Sequence, residues 1–198
     1  MKWPSALALA AALLLSRGAD ALEKCVGHDG KVTYSDHGCA SGAQKKSLGG
    51  ASLDGAQMEY YDVQAPGGHM GRTDWNLSYR YTTRSIAGGC GVDSVTTKLE
   101  LKVRMPRWNG AAGSPDLASR WSRYLSALEV HEAGHVQNAR DFESNFRRAA
   151  SAMTAGDCGS LGSALRAQFD SMLKQANARD VDYDAQTNHG ATQGAFFR

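Results

Sequence analysis

Residues 114–150 read SPDLASRWSRYLSALEVHEAGHVQNARDFESNFRRAA, and the spacing of their apolar side chains sets the fold class. Ser114 can cap a helix with its hydroxyl, Pro115 suits the first helical position, and Asp116 complements the positive end of the helix dipole. Leu117, Trp121, Tyr124, Leu128, Phe142 and Phe146 fall on one side of a 3.6-residue period, so the stretch predicts one long helix with a buried stripe. His131 and His135 share that sector, which turns both imidazoles toward the core.

Upstream of the helix the period changes from 3.6 to 2. In NLSYRYT (76–82) Leu77, Tyr79 and Tyr81 alternate with polar residues, and in KLELKVRM (98–105) Leu99, Leu101, Val103 and Met105 oppose Lys98, Glu100, Lys102 and Arg104. Both read as half-buried antiparallel strands. MEYYDVQA (58–65) is a third candidate, and AGGCGVD (87–93) is the turn that carries Cys90 into the sheet. Downstream, Leu161, Leu165, Phe169, Met172 and Leu173 mark a second helix from about Ser160 to Ala178. Strands followed by helices predict an α+β domain: an antiparallel sheet, then two main helices.

The long helix carries HEAGH at 131–135. Each helical residue advances about 100°, so His131 and His135 lie one turn apart and can reach one ion. Glu132, one step round, flanks that ion without binding it, where a general base for an activated water belongs. Two adjacent imidazoles in an apolar stripe are costly unless hydrogen-bonded or metal-bound. The pattern therefore predicts a zinc centre with His131 and His135 as ligands, in a zincin-like metallopeptidase domain. Four residues compete for the third ligand. Asp141 requires the helix to break at Asn138, yet the apolar stripe continues through Phe146. Asp170 lies on a helix face without a second acid, and His69 sits in the loop PGGHMG (66–71). His189, beyond the second helix, has Asp184 and Thr187 nearby to hold its other ring nitrogen, as ligating histidines need.

The chain of 198 residues opens with Lys2, an apolar run from Ala6 to Leu15, and SRGADA, with small Ala19 and Ala21 placed for cleavage after Ala21. That is a secretory signal peptide; the run falls short of the roughly 18 apolar residues that span a bilayer. The protein is expected to be exported, to the periplasm or beyond, with no membrane span after cleavage. With a formal net charge of +2 and no basic runs, nothing points to a nucleic-acid partner, and none is expected. Four cysteines in an oxidising compartment predict two disulfides, a local Cys25–Cys39 bridge and Cys90–Cys158. EKCVGHDGKVTYSDHGC (23–39) reads as a disulfide-pinned hairpin turning at Asp29-Gly30, so residues 22–40 form a small N-terminal module. Gly, Ala and Ser dominate 41–57, which reads as a flexible linker, and the main domain spans 58–198.

HEAGHVQNA (131–139), YDAQTNHGATQG (183–194), TDWNLSYRY (73–81) and the positions of Cys90 and Cys158 together resemble a family of bacterial secreted proteins predicted to be zinc-dependent proteases. The resemblance covers roughly Met58 to Phe197. The N-terminal DGKVTYSD core separately resembles a small module found on exported bacterial proteins. The protease resemblance implies His131 and His135 as zinc ligands, Glu132 as catalytic base, and Tyr183, Asp184, Thr187, His189 and Gly190 clustered near the metal. It points to His189 as the third ligand, and it makes Tyr183 a candidate donor to the tetrahedral oxyanion. The expected function is hydrolysis of protein or peptide substrates. Strand 98–105 would offer its edge to the substrate backbone. The alternative is a zinc-bearing structural or binding protein of the cell envelope.

Overall fold

In a computed structural model the described residues are 23–26, 32–35, 41–42, 44–47, 51–111 and 113–198. The signal segment, the Asp29-Gly30 turn and the Cys25–Cys39 bridge lie outside them. Three short strands, β1 (Glu23–Val26), β2 (Val32–Ser35) and β3 (Gln44–Ser47), make an antiparallel sheet in the order β2-β1-β3. The first two are the expected hairpin, whereas β3 falls in the stretch read as linker. Residues 51–56 are also held: Arg140 donates to the carbonyls of Ser52 and Asp54, and Leu53 and Ala56 pack on the main core.

The main sheet contains β4 (Gln57–Val63), β5 (Arg72–Ile86) and β6 (Gly89–Trp108), in the order β4-β6-β5. β5 and β6 form a long antiparallel hairpin whose turn, Ala87-Gly88, needs the positive φ of 79° that Gly88 supplies. Asp93 bulges out of β6 where the register shifts at Thr82/Thr83. β4 pairs with the other edge of β6 in parallel, so the sheet is mixed and not antiparallel as expected. The cause is connectivity. Because 64–71 crosses the end of β6 before β5 begins, β6 lies between its two predecessors, and β4 and β5 run in opposite directions. This removes only part of 98–105 as a free edge: β6 is paired on both sides from Lys102 to Arg104, whereas 98–101 pair with β5 alone.

Two helices cover one face of the sheet. α1 (Pro115–Ser151) starts as its sequence dictates, with the Leu117 amide donating to Ser114 Oγ at 3.2 Å. β7 (Thr154–Ala155) pairs with the start of β6, and α2 (Cys158–Thr187) returns antiparallel to α1. The Cys90–Cys158 disulfide joins β6 to the first residue of α2, as expected. Phe142, Phe146, Leu161 and Leu165 are fully buried in one core cluster against Leu77 and Val92. Val103, Met105, Trp121, Tyr124 and Leu128 form the second. The other face of the hairpin, with Arg80, Thr82, Thr96 and Lys98, is exposed. No described helix is long and apolar enough to cross a membrane.

Candidate metal centre

α2 runs nine residues past the expected end at Ala178. That extension places Asp180, Tyr183, Asp184 and Thr187, at helical steps of three and four, on the face turned to the middle of α1. The Asp184 carboxylate meets both histidines: its Oδ1 lies 3.2 Å from His131 Nε2 and 3.1 Å from His135 Nε2. His131, His135 and Asp184 each offer one ligand atom, all within 4.8 Å of one another.

The other ring nitrogens are committed elsewhere. His135 Nδ1 donates to Asp180 Oδ1 at 2.9 Å, and His131 Nδ1 to Gln193 Oε1 at 3.1 Å. Asp180 is itself fixed by Trp75 Nε1 at 2.8 Å and Asn138 Nδ2 at 2.7 Å. Gln193 Nε2 donates to the Tyr183 hydroxyl at 3.1 Å, and that hydroxyl donates to the His131 carbonyl at 3.2 Å. With both Nδ1 protons used in this way, neutral imidazoles aim their Nε2 lone pairs at a carboxylate oxygen. Three electron-rich atoms so close need a shared cation, a proton or a metal ion.

Electrostatics divide the two histidines. Burial, then the neighbouring charge of His135, pushes the His131 pKa down to about 4. Burial also disfavours charge on His135, but the hydrogen bond and charge of Asp180, with Asp184 and Glu132, outweigh it and raise its pKa above the usual imidazole value. Glu132 is 2% exposed and stands beside the three donors without joining them. Its Oε2 accepts from Thr73 Oγ1 at 2.6 Å. Burial raises its pKa, and the Thr73 hydrogen bond offsets part of that rise. A Cβ on Gly71 would collide with the Glu132 carboxylate, so the chain entering β5 can pass only as glycine.

His131, Glu132, His135, Asp180 and Asp184 open on one cavity of about 680 Å³, walled by Gly68 to Thr73 on one side and floored by Tyr124, Leu128, His131, Glu132 and His135 of α1. His69 lines it, with its Nε2 3.1 Å from the Ala65 carbonyl.

The expected site residues are not all placed where the sequence put them. His189 lies on the cavity rim with its side chain 59% exposed, its Nδ1 3.6 Å from Asp184 Oδ1, and it is outside the donor group. The reason is local: α2 ends at Thr187 with Asn188 as its cap, and Asn188, His189 and Gly190 all take positive φ, so the chain has left the helix that carries Asp184 before it reaches His189. Tyr183 is buried behind the histidines and does not line the cavity. Its ring stacks on His131 at 5.1 Å and 8°, and a Cβ on Gly134 would collide with its hydroxyl. An oxyanion on the cavity side is therefore out of its reach. Asp141 accepts from Gln137 one turn earlier, on a helix that does run on, and Asp170 is exposed. Sequence reasoning missed Thr73, Trp75, Asn138, Asp180 and Gln193. Only the helical spacing of Asp180, Tyr183, Asp184 and Thr187 carried a signal that could have found part of the set.

The family described as "Bacterial protein of unknown function (DUF922)" matches residues 49–190, a span that includes every donor and both carboxylates of α2. No curated protein and no solved structure matches the chain.

Proposed function

We propose that this chain, which belongs to that bacterial family, is an exported zinc-dependent peptidase that uses His131, His135 and Asp184 as ligands. The observation that supports the reading is the convergence of those three donors, with Glu132 beside them, on one open cavity. Two imidazole nitrogens and a carboxylate oxygen are a donor set that zinc takes with one position left for water or substrate. Zinc held there would supply Lewis-acid chemistry for a peptide carbonyl and a water.

The chain's own residues do the rest. Asp180 and Gln193 fix the ring orientation and the Nδ1–H tautomer of the two histidines. Glu132, held by Thr73 and made more basic by burial, takes a proton from the attacking water and passes it to the leaving amine. The segment 68–71 walls the cavity and limits access of bulk water to Glu132. The Cys90–Cys158 disulfide and the N-terminal sequence are both compatible with export.

Elemental analysis with a peptide-library cleavage assay tests the reading. The wild type is expected to hold one zinc and cleave; Glu132→Gln should keep the zinc and lose turnover by at least about a hundredfold, the scale of removing a positioned general base. A zinc-loaded wild type that cleaves nothing would instead be a binding or structural protein of the cell envelope. A wild type without zinc would overturn both.

A further inference from the structure

The cavity has a wall that the proposed chemistry does not use. Tyr124 and Leu128 precede Glu132 on α1 by two turns and one turn, and they floor the cavity with apolar surface. Beside them stand Tyr61 of β4 and Arg104 of β6. The Arg104 guanidinium lies 5.8 Å from the centre of the Tyr61 ring, and the Tyr61 hydroxyl is anchored on the Met70 carbonyl at 2.7 Å. A cation over an aromatic face is held in place without losing its charge.

The charges around Arg104 are already matched, pair by pair. Glu59 meets Lys102 at 3.0 Å, Asp62 meets Arg107 at 2.8 Å, and Asp74 meets Arg72 at 2.7 Å. These are the acids of β4 and β5. Arg72, the other arginine on the cavity, is thus neutralised, whereas Arg104 has no carboxylate partner among the described residues. The carboxylates that line the cavity, Glu132, Asp180 and Asp184, are held by Thr73 and the two histidines. A fixed, unpaired guanidinium on a substrate-sized cavity offers a planar fork for a carboxylate.

We propose that Arg104 binds a carboxylate of the substrate, so that the cavity selects peptides that present one to it. Calling the ligand a substrate rests on the peptidase reading; the recognition itself does not require turnover. The carboxylate can come from a glutamate or aspartate side chain or from a free C-terminus. In either case the neighbouring residue lies along the apolar floor formed by Tyr124 and Leu128.

The test is a binding measurement on the zinc-loaded Glu132→Gln protein, in which no probe is consumed. Four fluorescein-labelled hexapeptides of alanine and leucine carry a central glutamate or glutamine and end in a carboxylate or an amide. Fluorescence anisotropy is expected to show the peptides bearing the recognised carboxylate binding about three- to tenfold tighter, as suits a partly exposed charge-assisted pair. Comparing the glutamate amide with the glutamine acid identifies its source. Adding Arg104→Gln should level the four affinities, Arg104→Lys should restore part of the preference, and Arg104→Glu should reverse it toward a lysine peptide. A role of Arg104 in packing alone would not produce that reversal. Equal binding, or no binding, of the four peptides to protein with Arg104 intact would overturn the proposal, as would a preference that survives Arg104→Gln. Failure of the wild type to cleave any peptide would overturn the peptidase reading alone.

Discussion

Asp184 and His189 are five residues apart in the chain, and the end of α2 between them separates their roles. Asp184 points one oxygen at both Nε2 atoms, while the His189 ring is turned into solvent at the rim. Asp184→Ala is therefore expected to weaken zinc binding by more than about a hundredfold, beyond the usual cost of an outer-shell change. His189→Ala should stay within about threefold. Competition with a chelating dye measures both, and the opposite order would make His189 the ligand. The same buried pair gives the metal-free protein a pH signature. His131 is held neutral with a pKa near 4, so between about 6.5 and 4 the unfolded chain binds a proton that the folded chain refuses. Stability from His131 is thus lost as the pH falls through that window, by an amount on the order of 2–3 kcal/mol. His135 has the opposite sign: its pKa is raised, so its contribution is complete below about 6.5 and is lost as the pH rises through its folded value. Denaturant titrations of chelated protein at pH 6.5 and 4.5 should show a smaller acid loss in His131→Gln than in the wild type. Equal losses would mean that His131 is not held neutral in the fold.

α1 was legible from its sequence because every device of a long helix is present in it: the Ser114 cap, Pro115, and a stripe that ends in the fully buried Phe142 and Phe146. The second half of α2 was not. Its apolar face stops near Leu173 and Ala176, since from Asp180 onward the helix packs on a polar centre and its inward residues are Asp, Tyr and Thr. A hydrophobic period marks burial against a core and fades where a helix is buried against a site. That is why Asp184 was read as a partner of His189 and not as a donor in its own right. The parallel pairing of β4 was equally invisible, because alternation gives the faces of a strand and not its neighbours. Gly134, which looks like a flaw inside α1, has its explanation in α2. Gly134→Ala gains about 1 kcal/mol of helix propensity but must push the buried Tyr183 ring, an overpacking that costs about 1–3 kcal/mol. The expected net change is a loss of up to about 2 kcal/mol in a thermal melt, with weaker zinc binding because Tyr183 backs the His131 ring. A variant more stable than the wild type, with unchanged zinc affinity, would show that the two helices can separate there at no cost.

Across the whole molecule, the one described disulfide and the candidate metal centre sit at opposite ends of α2. Cys90–Cys158 closes a loop with a sequence separation of 68, which contains the rest of β6 and all of α1, and pins the N-terminus of α2 to the sheet. In the chain-entropy model such a loop contributes about 4 kcal/mol, chiefly by restricting the unfolded chain. The metal donors lie far from it. From Cys158 to Asp180 the helix rises about 33 Å at 1.5 Å per residue, and between them Leu161, Leu165 and Ala176 are fully buried against α1 and the sheet. Those contacts, not the covalent link, set the register that brings Asp180 to His135. Replacing both cysteines by serine should therefore lower the midpoint of denaturant unfolding by the equivalent of about 4 kcal/mol. In conditions where the variant remains folded, its zinc affinity should stay within about twofold of the wild type. The two measurements are independent: the first reads the unfolded chain, the second the packing of α2 on α1. A double variant that is folded by circular dichroism but has lost zinc affinity would show that the bridge itself holds Asp180 and Asp184 in register, and that the buried contacts between the helices are too weak to do so alone.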